Sequence, residues 1–341
     1  MAMSATVSVK DVAARAGLSV GTVSNVLNRP EKVSQATRDK VMAAIDELGF
    51  VRNEAARQLR AGMSQCVGLI VLNSSNPFFN DVAASAEAWA ADRGISVLVG
   101  NSAEMPERER DYLTLFEQQR VRGVLLSPVG SVSKRLQRMR AGGIATVLVD
   151  RDIAGDFSCV SVDDQLGGRL AMQHLVDMGR RRVAFVGGPL SLGQVSDRFA
   201  GAAEVAARYP DVTLEFIATD RLTLPEGRVA GERLLARPAA GRPDALFGAN
   251  DLIALGLLQA ITGTRTLRVP DDIALIGYDD IEFAAGAAVP LSSIAQPRFE
   301  LGRLAMDLLL KEADDPSRSF ERIVLQPFLV ARASTGTGGA D

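Results

Sequence analysis

Polar side chains that could bind a small ligand stand at the ends of three apolar runs of the sequence. They are Asp150 and Arg151 after ATVLV, Asn250 and Asp251 after ALFGA, and Asp279 and Asp280 after IALIGY. Carboxylates, a guanidinium and an amide together offer paired acceptors and donors that match neighbouring hydroxyl groups. Because ligands bind outside the carboxyl ends of strands in open α/β sheets, we expect these side chains to converge in a cleft. Asx residues after strands also cap helices, and we assign a cap or turn role to Asp251 and Asp280.

The elements that must position these residues begin after Gly62, where short apolar runs alternate with amphipathic stretches. The stronger runs are VGLIVL, ISVLVG, GVLLSP, ATVLVD, RVAFVGG, ALFGA and IALIGY, and weaker runs lie near Val160, Leu214 and Ile323. Near-continuous apolar strands that alternate with helices are typical of parallel sheets covered on both faces. These runs are too many for one compact unit, so the sequence predicts the α/β class with two doubly wound parallel-sheet lobes.

The first fifty residues carry a helical pattern instead. Ser8 and Asp11 form a weaker version of the capping box, and Gly17 can end a first helix. Ser19 then caps a second helix, and a third helix ends at Gly49. The residues with helical apolar spacing are Val9, Val12, Ala13 and Ala16 in the first helix, Val23, Val26 and Leu27 in the second, and Val41, Ile45 and Leu48 in the third. Two helices joined by a tight turn predict a helix-turn-helix.

The second helix leaves Val20, Gly21, Thr22 and Asn25 on its outward side. Small side chains at the start of a helix let its backbone approach DNA, and its N-terminal N–H groups can bind a phosphate. Residues 1–62 hold nine Lys and Arg against six Asp and Glu, which is a weak footprint of nucleic-acid binding. The pattern leaves two alternatives, a DNA-binding headpiece or a small helical subdomain with no DNA role.

The residue composition narrows the chemistry. Apolar residues make up 47% and charged residues 23% of the 341 residues, so the chain can bury sizeable cores. His174 is the only histidine, which argues against His-based catalytic triads and multi-His metal sites. Cys66 and Cys159 are too few and too far apart for a disulfide framework or a metal cluster. We therefore predict neither a metal site nor a cofactor.

Targeting and catalytic motifs are also missing from the sequence. No apolar run is long enough to span a membrane, and MAMSATVSVKDVAARAG lacks the apolar core of a secretory signal. We therefore expect a cytoplasmic protein with no membrane partner. The sequence has no GxxxxGK(S/T), HExxH or GxSxG motif, and GGPLSLG at 187–193 lacks the Walker lysine and the dinucleotide spacing. We expect no enzyme activity.

The chain resembles the lactose-repressor (LacI/GalR) family of bacterial transcription regulators through a series of motifs in order. VSVKDVAARAGLSVGTVSNVLNRPEKVSQATRDKVMAAIDELGFVRNEAARQLRAG is similar to the family's headpiece and hinge, and SNPFF, VLVDRD, SDRFAG, ANDLIALG, IGYDD and SIAQPRFELG follow it. The resemblance implies a periplasmic-binding-protein-like core of two lobes after the headpiece. The implied ranges are the headpiece at 1–51, the hinge at 52–62, an N-terminal lobe of 63–161 and 292–324, a C-terminal lobe of 162–291 and 325–333, and a disordered tail at 334–341.

The resemblance also implies residues that contact DNA. They are Ser8, Val20, Gly21, Thr22, Ser24, Asn25, Asn28, Arg57 and Leu59. Val20, Gly21 and Asn25 would face base edges, and Leu59 would enter the minor groove as an apolar wedge. Asn25 departs from the arginine that is common at its position, so the operator is expected to differ. Taken alone, NEAARQLRA at 53–61 fits a marginal helix or a linker equally.

For the cleft, the resemblance implies an effector site like that of ribose-type periplasmic binding proteins. The expected residues are Asn76, Phe78, Phe79, Asp150, Arg151, Arg198, Leu222, Asn250, Asp279 and Gln296. Leu222 departs from the aromatic residue usual at its position, which removes a stacking face for a sugar ring. Phe78 and Phe79 also suit ordinary core packing, and we expect at least one of them to belong to the core.

These observations favour a ligand-responsive transcription repressor that binds a pseudo-palindromic operator as a homodimer. Its effector would be a small sugar or sugar derivative, and we expect the sugar to release DNA rather than to strengthen DNA binding. The alternative from another class is a solute-binding protein for sugar uptake. The two lobes fit that alternative equally well, but the headpiece does not.

Overall fold

The computed structural model describes residues 7–50, 64–130, 132–151, 157–264 and 266–336. The chain divides into two compact units, Met1–Met63 and Ser64–Asp341. The first unit holds the helical segment and the second holds the two sheets. No helix within the described ranges is long and apolar enough to cross a membrane.

Within residues 7–50 the first unit contains three α-helices, α1 (Val9–Ala16), α2 (Val20–Asn28) and α3 (Gln35–Leu48). The backbone N–H of Ser8 donates to Asp11 Oδ2 over 2.8 Å, which closes the predicted capping box. Gly17 and Gly49 end α1 and α3 with φ of 67° and 60°, a left-handed conformation that suits glycine. The buried core consists of Val12, Ala13, Val23, Val26, Val41 and Ala44, and the other predicted inward residues pack against it. The predicted helix-turn-helix is confirmed.

The described part of the second unit contains two six-stranded sheets. The first sheet consists of β1 (Cys66–Val71), β2 (Ser96–Asn101), β3 (Gly123–Leu126), β4 (Ala145–Val149), β5 (Ser158–Val162) and β11 (Arg322–Leu325). The second consists of β6 (Arg182–Gly187), β7 (Thr213–Ala218), β8 (Ala245–Gly248), β9 (Ala274–Asp279), β10 (Ser292–Ala295) and β12 (Phe328–Val330). The strand orders are β11-β5-β4-β3-β1-β2 and β12-β10-β9-β8-β6-β7, and only β12 runs antiparallel to its neighbour in these sheets.

Helices cover both faces of each sheet. They are α4 (Pro77–Ala91), α5 (Pro106–Gln118), α6 (Ser133–Ala141), α7 (Asp164–Asp177), α8 (Gly193–Ala206), α9 (Leu224–Leu235), α10 (Asp251–Thr264), α11 (Glu282–Ala285) and α12 (Arg298–Asp314). Successive strand residues point to opposite faces, so Leu69 packs in the core under α4 and α12 while Ile70 packs in the core under α5 and α6. The second sheet is enclosed in the same way by α7 and α8 on one face and by α9 and α10 on the other. The two predicted doubly wound lobes are present.

The second crossing between the lobes lies later in the chain than predicted. Ser292–Ala295 was expected in the N-terminal lobe, but it pairs in parallel with β9 of the second sheet. The N-terminal lobe resumes with α12, and the last crossing lies between β11 and β12. Strand β10 does not read as an apolar run because it contains Ser292 and Ser293. Both serines are nevertheless fully buried, since their hydroxyl groups form hydrogen bonds inside the protein.

The chain remains ordered beyond the predicted end of the C-terminal lobe. Residues 334–336 were expected to be disordered, but Ser334 and Thr335 are buried in a 3-10 turn. Ser334 Oγ accepts from the backbone N–H of Ser292 over 2.7 Å, and Thr335 Oγ1 lies 2.8 Å from His174 Nε2. Small polar residues suggested disorder, but their hydroxyl groups have buried partners that tie this turn to the second sheet. Residues 337–341 lie outside the described part of the chain.

Candidate effector cleft and recognition helix

A cleft lies between the two lobes of the second unit, at the carboxyl ends of strands from both sheets. Its lining consists of Leu72, Asn73, Asn76, Phe78, Phe79, Glu104, Asp150, Leu192, Gln194, Val195, Arg198, Leu222, Asn250 and Asp279. Apolar side chains alternate with buried amide and charged groups, which suits a small polar molecule with apolar faces.

Asp279 receives hydrogen bonds from both sides of the cleft. Asn76 Nδ2 donates to its Oδ2 over 2.8 Å, and Gln296 Nε2 donates to its Oδ1 over 2.7 Å. Asn76 also caps α4, because its Oδ1 accepts from the backbone N–H of Phe78 over 3.1 Å. Burial raises the pKa of Asp279. Two amide donors therefore fix the orientation of a carboxylate that is 2% exposed.

Arg198 projects from α8 into the same region and is held by four groups. Its Nε donates to Asp164 Oδ1 over 2.7 Å, and its Nη1 donates to the backbone oxygen of Ala249 over 2.9 Å. Its Cζ lies 3.7 Å from the centre of the Tyr278 ring, and Nη1 lies 3.9 Å from Asp279 Oδ1. Burial disfavours the charge, but the nearby Asp164 outweighs it and raises the pKa of Arg198, so the guanidinium stays charged.

Asp150 and Gln194 form the opposite wall of the cleft. Gln194 Nε2 donates to Asp150 Oδ2 over 3.0 Å and to the backbone oxygen of Asp150 over 3.1 Å. Asp150 follows β4 directly and has a φ of 63°, in the left-handed region. Burial, helped by the nearby Asp164, raises the pKa of Asp150 to about 8. The carboxyl group of Asp150 therefore favours its protonated form near neutral pH.

Asn250 both caps a helix and lines the cleft. Its Oδ1 accepts from the backbone N–H of Ile253 at the start of α10 over 2.9 Å. Its Nδ2 points to the backbone oxygen of Leu222 at 3.4 Å. The capping and binding alternatives for this residue are therefore compatible.

Most of the residues predicted for the effector site meet in this cleft. The eight that line it are Asn76, Phe78, Phe79, Asp150, Arg198, Leu222, Asn250 and Asp279. Gln296 lies behind Asp279 and binds it. Arg151 does not line the cleft, because its guanidinium packs against the backbone at Gly193 and faces Glu109. The side chain that follows Asp150 thus points away from the ligand space.

The two phenylalanines serve the core and the cleft together. Their rings meet edge to face with centres 5.0 Å apart, and both belong to the core under α4. Asp251 and Asp280 have local roles outside the cleft lining. Asp251 accepts from Ser293 Oγ and the backbone N–H of Ile281, and Asp280 pairs with an arginine of the C-terminal segment.

Several cleft residues escaped the sequence analysis. They are Asn73, Glu104 and Gln194 among the polar residues, and Leu72, Leu192 and Val195 among the apolar ones. A signal for Gln194 was available, because it lies four residues before Arg198 on α8 and so shares its helix face. Asp164, the buried partner of Arg198, stands in the first turn of α7, a place where acidic residues are common, so its spacing carries no signal of the pairing.

The residues predicted to contact DNA lie on the exposed side of the first unit. Val20 is 42% exposed, Gly21, Asn25 and Asn28 are exposed, and Thr22 and Ser24 are half-buried. Two of these side chains bind each other within the helix, since Asn28 Nδ2 donates to Ser24 Oγ over 3.2 Å. Ser8 is exposed and bound to Asp11. Arg57 and Leu59, with the rest of the predicted hinge, lie outside the described residues.

Comparison with known proteins gives a family match for each of the two units. Residues 8–53 match the family described as "Bacterial regulatory proteins, lacI family", and residues 172–335 match "Periplasmic binding protein-like domain". The ribose operon repressor of Escherichia coli (strain K12) is 36% identical over 332 residues, which cover 95% of this chain and 98% of that repressor.

Solved structures agree with the sequence comparison. The lac repressor dimer bound to operator and the anti-inducer ONPF is 28% identical, with a TM-score of 0.81 over 97% of this chain and 99% of that chain. A LacI family transcriptional regulator from Enterococcus faecalis V583 with bound ribose is 27% identical, with a TM-score of 0.72 over 80% of this chain and 98% of that chain.

Proposed function

The chain belongs to the lacI family of bacterial regulatory proteins, and from this membership we propose a repressor that binds a pseudo-palindromic operator as a homodimer. A small sugar in the cleft would control that binding. The match of residues 8–53 to the lacI family favours a regulator over a solute-binding protein for sugar uptake. The proposed place of action is therefore bacterial DNA in the cytoplasm.

DNA recognition is assigned to the start of α2. Val20, Gly21 and Asn25 are exposed there, while Val23 and Val26 hold the other face of the helix in the core. A single helix of this kind reads few base pairs, so two copies related by a two-fold axis would read a palindromic site. Selection of bound sequences from a random DNA pool tests this proposal. A consensus without two-fold symmetry contradicts the dimeric mode.

Effector binding is assigned to the cleft, and the observation that carries it is the fixed carboxylate of Asp279. It is buried, oriented by Asn76 and Gln296, and 3.9 Å from the charged Arg198. A carboxylate beside a guanidinium matches the paired donor and acceptor character of adjacent hydroxyl groups. A relative of the same fold carries bound ribose. These features support a pentose, a hexose or a derivative as the ligand.

Calorimetric titration against a panel of sugars is the experiment that tests the effector. We expect saturable one-to-one binding of one or a few free sugars to the full-length protein. Titration of the same protein with purine and pyrimidine bases provides the comparison. Binding of a nucleobase in preference to every sugar overturns the sugar proposal.

We further propose that the cleft binds its ligand without converting it. The ribose operon repressor that the chain matches over nearly its whole length is a repressor rather than an enzyme. Prolonged incubation of the protein with each bound sugar, followed by chromatography of the mixture, tests this statement. Recovery of a new product would show turnover.

Ligand and operator binding should be coupled through the two lobes. If the sugar weakens operator binding by some factor, linkage requires the operator to weaken sugar binding by the same factor. The corresponding coupling free energy is typically about 1–3 kcal/mol. We favour release of the operator by the sugar. Sugar titrations with and without saturating operator measure the coupling directly. Equal sugar affinities in the two titrations would show that the sites are independent.

A further inference from the structure

The amide donors that border the cleft are already used inside the protein. Asn76 and Gln296 donate to Asp279, and Gln194 donates to Asp150. Asn73 Nδ2 donates to Glu104 Oε1 over 3.2 Å in the same manner. Nε and Nη1 of the cleft arginine are also occupied, by Asp164 and a backbone oxygen.

Two acceptors of the cleft lining, Gln194 Oε1 and Glu104 Oε2, have no hydrogen-bond partner among the described residues. Asp150 Oδ1 also lacks a partner, but the raised pKa of Asp150 lets this carboxyl group donate as well as accept. Gln194 is only 5% exposed, so solvent does not replace its missing donor freely. A buried acceptor left unsatisfied costs free energy. The geometry therefore calls for a ligand that brings hydrogen-bond donors.

The balance of charge around the cleft points in the same direction. Four carboxyl groups lie in or against it, those of Glu104, Asp150, Asp164 and Asp279, whereas Arg198 is the one guanidinium in its described lining. Burial raises the pKa of each of these four carboxyl groups, Asp150 to about 8, because the cleft disfavours negative charge. A phosphate or carboxylate of a ligand would incur the same desolvation cost, and the guanidinium groups near it would be those of Arg198 and of Arg221, which acts on Glu104.

Glu104 lines the cleft from a loop with an unusual backbone conformation. Ala103 and Glu104 both adopt left-handed backbone conformations, with φ of 51° and 62°. Arg221 from the other lobe donates to the backbone oxygen of Ala103 over 3.3 Å, and its charge also acts on Glu104. This strained loop places Glu104 in the cleft lining, where its Oε2 has no hydrogen-bond partner among the described residues.

We propose that the cleft selects an uncharged, donor-rich sugar and rejects sugar phosphates and sugar acids, with Glu104 as the residue that determines this preference. The inference rests on the proposed sugar-binding function and narrows its ligand class. A hydroxyl group of a free sugar donates to Glu104, whereas a phosphate or carboxylate at the same place offers acceptors only. Like charges juxtaposed in an interface cost several kcal/mol, so the expected preference is at least about 100-fold.

Calorimetry with the full-length protein tests the selection. The ligands are free pentoses and hexoses, each paired with its phosphate ester and its aldonic acid. Tight binding of a free sugar with binding of its charged partners at least about 100-fold weaker supports the inference. Equal binding of a sugar and its phosphate overturns it while leaving the proposed function intact. If no sugar of any kind binds, the proposed function fails and this inference falls with it.

The variant Glu104→Gln tests whether Glu104 determines the preference for free sugars over sugar phosphates. Glutamine keeps the shape and one acceptor, and it places an N–H donor where the carboxylate oxygen was. We expect the ratio of free-sugar to sugar-phosphate affinity to fall at least about tenfold, mainly because the phosphate binds better. Glu107→Gln is the matched control, since it removes the same charge from an exposed side chain three residues along. An unchanged ratio in Glu104→Gln, with a native melting temperature, overturns the role of Glu104.

Discussion

Asn76 and Asp279 lie 203 residues apart in the sequence, yet Asn76 Nδ2 donates a 2.8 Å hydrogen bond to Asp279 Oδ2 in a buried position. Asn76 follows the first strand of one sheet, and Asp279 ends a strand of the other. The bond therefore joins the two lobes. It also ties the start of α4 to the effector site, because the same asparagine caps that helix.

Replacement of Asp279 should weaken effector binding strongly. Asp279→Ala leaves Asn76 and Gln296 without their acceptor, and unpaired buried donors are costly. We expect a loss of about 2–3 kcal/mol of sugar affinity by calorimetry. Asp111→Ala, at an exposed site on α5, removes the same charge as a control. Unchanged sugar affinity in Asp279→Ala would place the ligand elsewhere.

Replacement of Asp164 should act through Arg198. In Asp164→Asn the guanidinium loses its buried counter-charge, and removal of one partner of a buried pair typically costs about 3–5 kcal/mol of stability. We expect the lower end of that range, because Asp279 remains 3.9 Å from Nη1. Urea unfolding measures the stability and calorimetry measures the accompanying loss of sugar affinity. Asp177→Asn, exposed at the end of α7, should change neither quantity.

The raised pKa of Asp150 predicts a particular pH dependence. Its folded value of about 8 lies above the ordinary value of 3.8, so the folded state holds a proton that the unfolded state releases. This contribution is complete below the ordinary value and is lost as pH rises through about 8, by at most about 1.4 kcal/mol per pH unit. Unfolding free energies should therefore fall more steeply with pH in the native protein than in Asp150→Asn. If the unfolding free energies of the native protein and of Asp150→Asn change by the same amount between about pH 5 and about pH 8, this assignment is wrong.

The base preference of the recognition helix should change with Asn25. Asparagine pairs with adenine in the major groove and arginine pairs with guanine. We expect Asn25→Arg to replace adenine by guanine at one position of each half-site when bound sequences are selected from a random pool. Met42→Arg adds the same charge at a position of α3 that is 49% exposed, and it should alter overall affinity without altering the consensus. An identical consensus for Asn25→Arg and the native protein would remove Asn25 from base reading.

The sequence predicted the strands well wherever they were continuous and apolar. Strand β4 has the sequence ATVLV and is buried along its whole length, so its continuous apolar sequence correctly predicts burial on both faces. Strands β10 and β12 went unnoticed for different reasons. The first contains two buried serines, and the second has three residues, of which Phe328 is exposed. Burial of serine depends on partners far away in the chain, which no local pattern reports.

The same reasoning applies to the candidate site. Asp150, Asn250 and Asp279 were predictable because each follows a strand, and strand ends share one edge of a parallel sheet. Glu104 follows a strand as well, but it lies three residues beyond the end of β2 and reaches the cleft through two left-handed residues. The direction of Arg151 and the pairing of Asp164 with Arg198 are set by helix packing between elements. Such contacts follow from tertiary structure rather than from spacing.

The late crossing of the chain between the lobes has a consequence for synthesis of the protein. Strands β11 and β12 both lie near the end of the chain, and each completes a different sheet. Arg322–Leu325 pairs with Cys159–Val162. The edge of the first sheet at β5 therefore stays unpaired while most of the second lobe is being translated. Unpaired strand edges invite association with other chains, and such distant pairings form slowly. A nascent chain that stalls before residue 322 should thus expose an unpaired edge in each lobe at once, and it should depend on chaperones until the last strands emerge.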